Sequence, residues 1–136
     1  MGDLEMIILD TQSLIWFVGD PKKLSKKARL EIDKAVDTSK VLVSAISIWE
    51  ICLLVKKKRL EITMEVENWI KKVETLPFLQ FVPIDNEIAI RSVFLPGLFH
   101  SDPADRIIIA TAIKKGAPII TSDRRILRYP HVKAVW

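Results

Sequence analysis

The chain has 136 residues, 49% of them hydrophobic, and sets 21 Lys plus Arg against 17 Asp plus Glu for a formal charge of +4. A chain of this length buries roughly two-thirds of its unfolded surface around one core, so it needs no staple, and the composition excludes disorder and collagen-like repeats. One cysteine, Cys52, and two histidines, His100 and His131, cannot build a disulfide framework, a structural zinc site or a CxxC redox pair, which points to a reducing compartment.

The amino terminus carries Asp3 and Glu5 where a secretory signal carries cations, so the cytoplasm is the expected location. Met6–Leu9 is a continuous apolar run ending at Asp10, the pattern of a strand covered by helices on both faces. Helical periodicity comes next over Thr11–Val18, then a Gly19-Asp20-Pro21 turn and a second helix over Ser25–Asp37. A second strand is expected at Val41–Val43, helices at Ile46–Lys57 and Met64–Thr75, the latter capped by Thr63, and a third strand at Phe81–Ile84. Asp85 is placed to cap a helix over Asn86–Phe94, and Pro96-Gly97 marks a turn. Asp102 and Pro103 open a helix that Gly116 and Pro118 stop after Lys115, and Pro118–Thr121 is the last strand. No apolar stretch reaches membrane-spanning length, since Ser44, Ser47, Glu50 and Thr111 interrupt the longest ones. Strands alternating with helices predict an α/β fold of three layers, a central mostly parallel sheet flanked by helices, in a single domain over residues 1–136.

In such a sheet ligands bind beyond the carboxyl ends of the strands, which selects the acids there. Asp10 ends the first strand, Glu50 lies in the helix after the second, Asp105 is near the start of the last long helix, and Asp123 comes after the last strand. Glu50 gives the sharpest signal. Its helix is apolar nearly all round, only Ser47 and Glu50 interrupt it, and a carboxylate on a buried face costs several kcal/mol unless a cation or donors meet it. A salt bridge to an arginine is the alternative for Glu50. Asp10, Asp85 and Asp102 each double as helix caps, and Asp123 doubles as a turn residue beside Arg124 and Arg125. Asp85 is kept as a cap only.

Four gathered carboxylates without histidine or cysteine describe an all-oxygen site for a hard cation, Mg²⁺ or Mn²⁺. The expected substrate group is phosphate and the expected reaction phosphodiester hydrolysis. Among the basic clusters, Arg124, Arg125 and Arg128 lie nearest in sequence to the acids and are the candidates for nucleic-acid contact. Trp16, Trp49, Trp69 and Trp136 stand at apolar positions and read as core or interface.

The segment His100-Ser101-Asp102-Pro103-Ala104-Asp105-Arg106 and its continuation to Ala112, with Leu9-Asp10-Thr11, Ser47-Ile48-Trp49-Glu50 and Thr121-Ser122-Asp123-Arg124, resembles the PIN-domain ribonucleases, in particular the VapC toxins of toxin–antitoxin pairs. The resemblance spans nearly the whole chain. It implies a PIN-like fold, with Asp10, Glu50, Asp105 and Asp123 as the acids that hold Mg²⁺ or Mn²⁺ and Thr121 as a supporting hydroxyl. It further implies endonucleolytic cleavage of RNA, a homodimer, and a VapB-like antitoxin whose carboxyl-terminal segment fills the groove. Two positions depart from the pattern: Gln12, where many relatives have histidine, and Lys57-Lys58-Arg59-Leu60, where a glycine is common. Gln12 leaves no titrating base beside Asp10, and His100 is expected only to shape its loop. The competing reading is a catalytically silent module that keeps the fold and binds RNA or protein. A haloacid-dehalogenase enzyme needs a second aspartate where Gln12 stands, and a response-regulator receiver needs paired acids near the first strand's end.

Overall fold

The computed structural model describes residues 6–136, so the acids at the amino terminus, Asp3 and Glu5, lie outside the described residues. Its strands are β1 (Ile7–Leu9), β2 (Val41–Ser44), β3 (Leu79–Val82), β4 (Ile119–Ile120) and β5 (Ala134–Val135). They form one sheet in the order β3-β2-β1-β4-β5, and every pairing is parallel. The helices are α1 (Thr11–Gly19), α2 (Lys26–Asp37), α3 (Ala45–Lys56), α4 (Val66–Glu74), α5 (Asn86–Val93), α6 (Pro103–Lys115) and α7 (Arg124–Leu127), with a short 3₁₀ turn at Pro21–Lys23.

The three central strands are apolar at nearly every position because both sheet faces are covered. Ile7, Leu9, Val41 and Val43 point into one core with residues of α1, α2 and α4. Ile8, Leu42, Val82 and Ile119 point the other way, into a core with Ile88 of α5 and Ile108, Ile109 and Ala112 of α6. That two-residue alternation defines the three layers. Helix α3 bridges them, with Ile51 in the first core and Ile46 against the second. No helix among the described residues is long and apolar enough to cross a membrane.

Local chemistry sets most boundaries. Asp102 caps α6, accepting the N–H of Asp105 at 3.0 Å, Pro103 takes the first position, and Gly116 ends the helix at φ 66° in the left-handed region. Asp10 caps α1 and Asp85 caps α5, each accepting the N–H three residues on. Three expectations shift. Helix α4 starts after Glu65, which makes no side-chain cap bond, rather than after Thr63. The third strand runs over Leu79–Val82 rather than Phe81–Ile84, because its pairing with β2 fixes the register and Pro83 has no N–H for a further rung. Strand β5 and helix α7 were not anticipated; at two and four residues they are too short to carry a period.

Sheet order places the site. From β1 the chain winds outward through β2 and β3, then returns to β4 on the other side of β1. The crevice at this reversal opens beyond the carboxyl ends of β1 and β4, so Asp10 and the segment Thr121–Asp123 arrive side by side. Ser13 ties them together, its hydroxyl donating to the Ile120 carbonyl at 2.8 Å.

Candidate active site

A cleft of about 400 Å³ at this reversal is lined by Asp10, Glu50, Asp102, Asp105 and Asp123, together with Thr11, Gln12 and Arg125. All four acids selected from the sequence therefore converge, delivered by the β1–α1 junction, α3, the first turn of α6 and the β4–α7 junction. Asp102, which also caps α6, lines it too. Asp85 lies elsewhere, paired with Lys114 at 2.5 Å on the α5–α6 surface.

Asp10 is buried, and burial pushes its carboxyl above the usual range against hydrogen bonds from Thr121 and Ser13 that favour the charged form. The Ser13 N–H contributes at 2.9 Å. Thr121 is fully buried, and its hydroxyl also receives the N–H of Asp123 at 2.9 Å, so one side chain braces two of the acids.

Glu50 is half-buried on α3, and among the described residues no Lys or Arg pairs with it. The salt-bridge alternative for Glu50 thus finds no partner. Instead Thr11 donates its hydroxyl to the Glu50 carboxylate and lies 2.9 Å from the Ser47 hydroxyl, which joins the two polar positions within the apolar stretch 45–55 of α3 to the start of α1. Burial nonetheless holds the Glu50 carboxyl high, with the charges of Asp102 and Asp10 adding to it.

Asp105 is strongly perturbed as well. Burial, then the charges of Asp102, Asp123 and Glu50, push its carboxyl up to about 7. Burial would likewise raise Asp123, but Arg125 hydrogen-bonds it through Nη2 at 3.1 Å and Nε at 3.3 Å, and these contacts hold it below its usual value. Arg125 also approaches Asp105 at 3.7 Å, so it is the one arginine of the three candidates that reaches the acids. Arg124 and Arg128 are exposed and do not line the cleft. Asp123, read as a turn residue in the alternative, caps α7 by accepting the Arg125 N–H at 2.8 Å.

His100 does more than shape its loop. Its imidazole sits with Asp105 and Asp123 so that one nitrogen or oxygen from each lies within 4.8 Å of the others, and His100 Nε2 is 3.2 Å from Asp105 Oδ2. The loop between α5 and α6 carries it there; the only signal in the sequence was its place two residues before the Asp102 cap. Burial, aided by Arg125, holds the imidazole below its usual pKa.

The donor set fits a hard divalent cation. Carboxylate oxygens predominate, they come from four elements, and burial followed by the uncompensated charges of Asp102, Asp123 and Glu50 pushes the Asp105 carboxyl up to about 7, a penalty that a cation would relieve.

These features define a nuclease-like α/β fold with an acidic cleft at the sheet reversal. A family model for the PIN domain matches residues 7–132, and the chain belongs to the PIN-domain family. It is 33% identical over 132 residues to ribonuclease VapC22 of Mycobacterium tuberculosis, covering 96% of this chain and 98% of that protein. Its fold is shared with VapBC2 from Rickettsia felis bound to a promoter DNA fragment (TM-score 0.69, 16% identity, 96% of this chain and 97% of that chain). DNA-bound VapBC from Salmonella typhimurium has the same fold (TM-score 0.68, 19% identity, 96% of each chain).

Proposed function

We propose that this chain is an endoribonuclease, the toxin of a toxin–antitoxin pair, that hydrolyses RNA phosphodiester bonds in the cytoplasm with Mg²⁺, or Mn²⁺ in its place. The observation that carries the reading is the convergence of Asp10, Glu50, Asp105 and Asp123 on one cleft, with Asp105 raised to about 7 by burial and its acidic neighbours. Those four carboxylates are the residues that would hold the ion. A divalent cation in such a site polarises phosphate oxygen and water and offsets charge on the leaving oxygen. The protein's own part is positional: Thr121 and Ser13 fix Asp10, Thr11 fixes Glu50, and the Asp102 cap fixes the first turn of α6. Arg125, beside Asp123 and Asp105 at the cleft, would be placed to meet a phosphate of the bound strand, and the exposed Arg124 and Arg128 are further candidates for such contacts.

The PIN domain is read as spanning residues 1–136. Similarity to VapC22, and a fold shared with VapBC complexes, support a VapB-like antitoxin as partner. Exposed Trp49 on the apolar helix α3, and exposed Ile90, Val93 and Phe94 on and beside α5, support a homodimer. The test uses purified chain free of antitoxin, RNA, and Mg²⁺, Mn²⁺ or EDTA, beside folded Asp10→Asn. Cleavage requiring metal and lost in the variant is expected. Equal cleavage by variant and wild type, or saturable RNA binding with no cutting under any metal, overturns the reading.

A further inference from the structure

The acids do not account for His100. Its ring lies beside Asp105 and Asp123, two of the acids that line the cleft, and the tautomer is legible from its contacts. Nδ1 accepts the backbone N–H of Asp102 at 3.3 Å, so the neutral imidazole carries its proton on Nε2. Nε2 is buried without a well-aligned hydrogen-bond partner, and the acceptor it faces is Asp105 Oδ2 at 3.2 Å. With Nδ1 taken and Nε2 protonated, the ring has no lone pair to give a cation; toward the site it can only donate. Donor contacts that are poorly aligned in a free enzyme commonly tighten once the site is filled.

The ring is also held. The Arg106 guanidinium, one residue after Asp105, donates to four backbone carbonyls: Nε to Ser92 at 2.8 Å, Nη2 to Val93 at 3.0 Å, and Nη1 to Phe99 and His100 at 3.1 Å each. This clamp ties the end of α5 and the His100 backbone to the first turn of α6. Phe99 stacks on the imidazole with ring centroids 4.1 Å apart, and Tyr129 packs on Phe99 at 5.1 Å. Arg125 approaches the same Asp105 oxygen, but from a long and largely exposed side chain. His100 is the rigid neighbour.

We infer that His100 is a positioning residue for the metal site: its Nε2–H fixes the Asp105 carboxylate against rotation, and the Arg106 clamp with Phe99 fixes His100. This rests on the reading of Asp105 as a cation ligand. Partners of this kind orient ligands and raise affinity without touching the ion.

Mn²⁺ binding to the full chain is measured by isothermal titration calorimetry for wild type, His100→Gln and His100→Asn, with circular dichroism to establish the fold. Glutamine places an amide N–H near the position of Nε2–H; asparagine reaches only as far as Nδ1. Asparagine is expected to weaken Mn²⁺ binding at least about tenfold, while glutamine stays within about threefold of wild type. Wild-type affinity in His100→Asn overturns the inference, and so does a His100→Gln variant as weak as His100→Asn. Absence of Mn²⁺ binding by wild type instead overturns the metal-site reading itself and this inference with it, so the two failures are told apart.

Discussion

Asparagine at position 105 removes one charge and keeps the side-chain shape. In the folded chain the Asp105 carboxyl is pushed up to about 7 from its ordinary 3.8, so between those pH values the native state holds a proton that the unfolded chain has released. Stability from this group is therefore intact below pH 3.8, falls as pH rises, and is lost above about 7. At about 1.4 kcal/mol per pH unit the whole interval corresponds to about 4 kcal/mol. The cleft is open to water and ions on one side, and screening reduces this to about 1–2 kcal/mol. Asp105→Asn escapes that loss, so in EDTA at pH 8 its Tm should exceed wild type by about 4–8 °C for a chain of this size. At pH 5 the two should melt within about 2 °C of each other, because wild-type Asp105 is then protonated. Millimolar Mg²⁺ or Mn²⁺ at pH 8 should raise wild type and leave the variant unmoved. Thermal unfolding monitored by circular dichroism at both pH values checks all three arms. A variant less stable than wild type at pH 8, or displaced equally at both pH values, would refute the idea that burial and crowded negative charge raise Asp105 in this cleft.

The same proton governs metal uptake: Mn²⁺ affinity should rise about tenfold per pH unit up to about pH 7 and level off above it, because the ligand must ionise first; titration calorimetry at pH 6, 7 and 8 reads this, and a flat profile contradicts it. Thr11→Val keeps the β-branch but strips Glu50 of its donor, so urea unfolding at neutral pH should show a loss of about 1–2 kcal/mol. Glu50→Gln in the Thr11→Val background should recover part of that loss by removing the uncompensated charge. Arg106→Leu orphans four carbonyls around the α5–α6 loop and should cost about 2–4 kcal/mol by urea unfolding, with faster amide exchange over residues 94–102; unchanged exchange there speaks against the clamp.

What could be read from the chain alone was local. Helix α6 runs over the expected residues because Asp102, Pro103 and Gly116 punctuate it within their own peptide units. The apolar run before Asp10 and the nearly all-apolar character of α3 around Glu50 announced a strand covered on both faces and a carboxylate in need of company. Spacing between neighbours along the chain produces such signals, and neighbours along the chain decide them. The boundaries of β3, the existence of β5 and the late start of α4 depend on what packs alongside, and a segment of two to four residues has no period to detect.

The site divides the same way. Carboxylates at the strand ends were visible as residue types in suitable places, and the wound order of the sheet, β2 and β3 to one side of β1 and β4 to the other, makes them neighbours. Only the tertiary structure decided that Glu50 leans on Thr11 rather than on an arginine, that Arg125 rather than Arg124 or Arg128 meets the acids, and that His100 turns its Nε2 toward Asp105. Each of these is a contact between side chains from different elements or a choice among adjacent arginines. Its sign and strength come from distance and burial, and those quantities exist only once the chain has closed on itself.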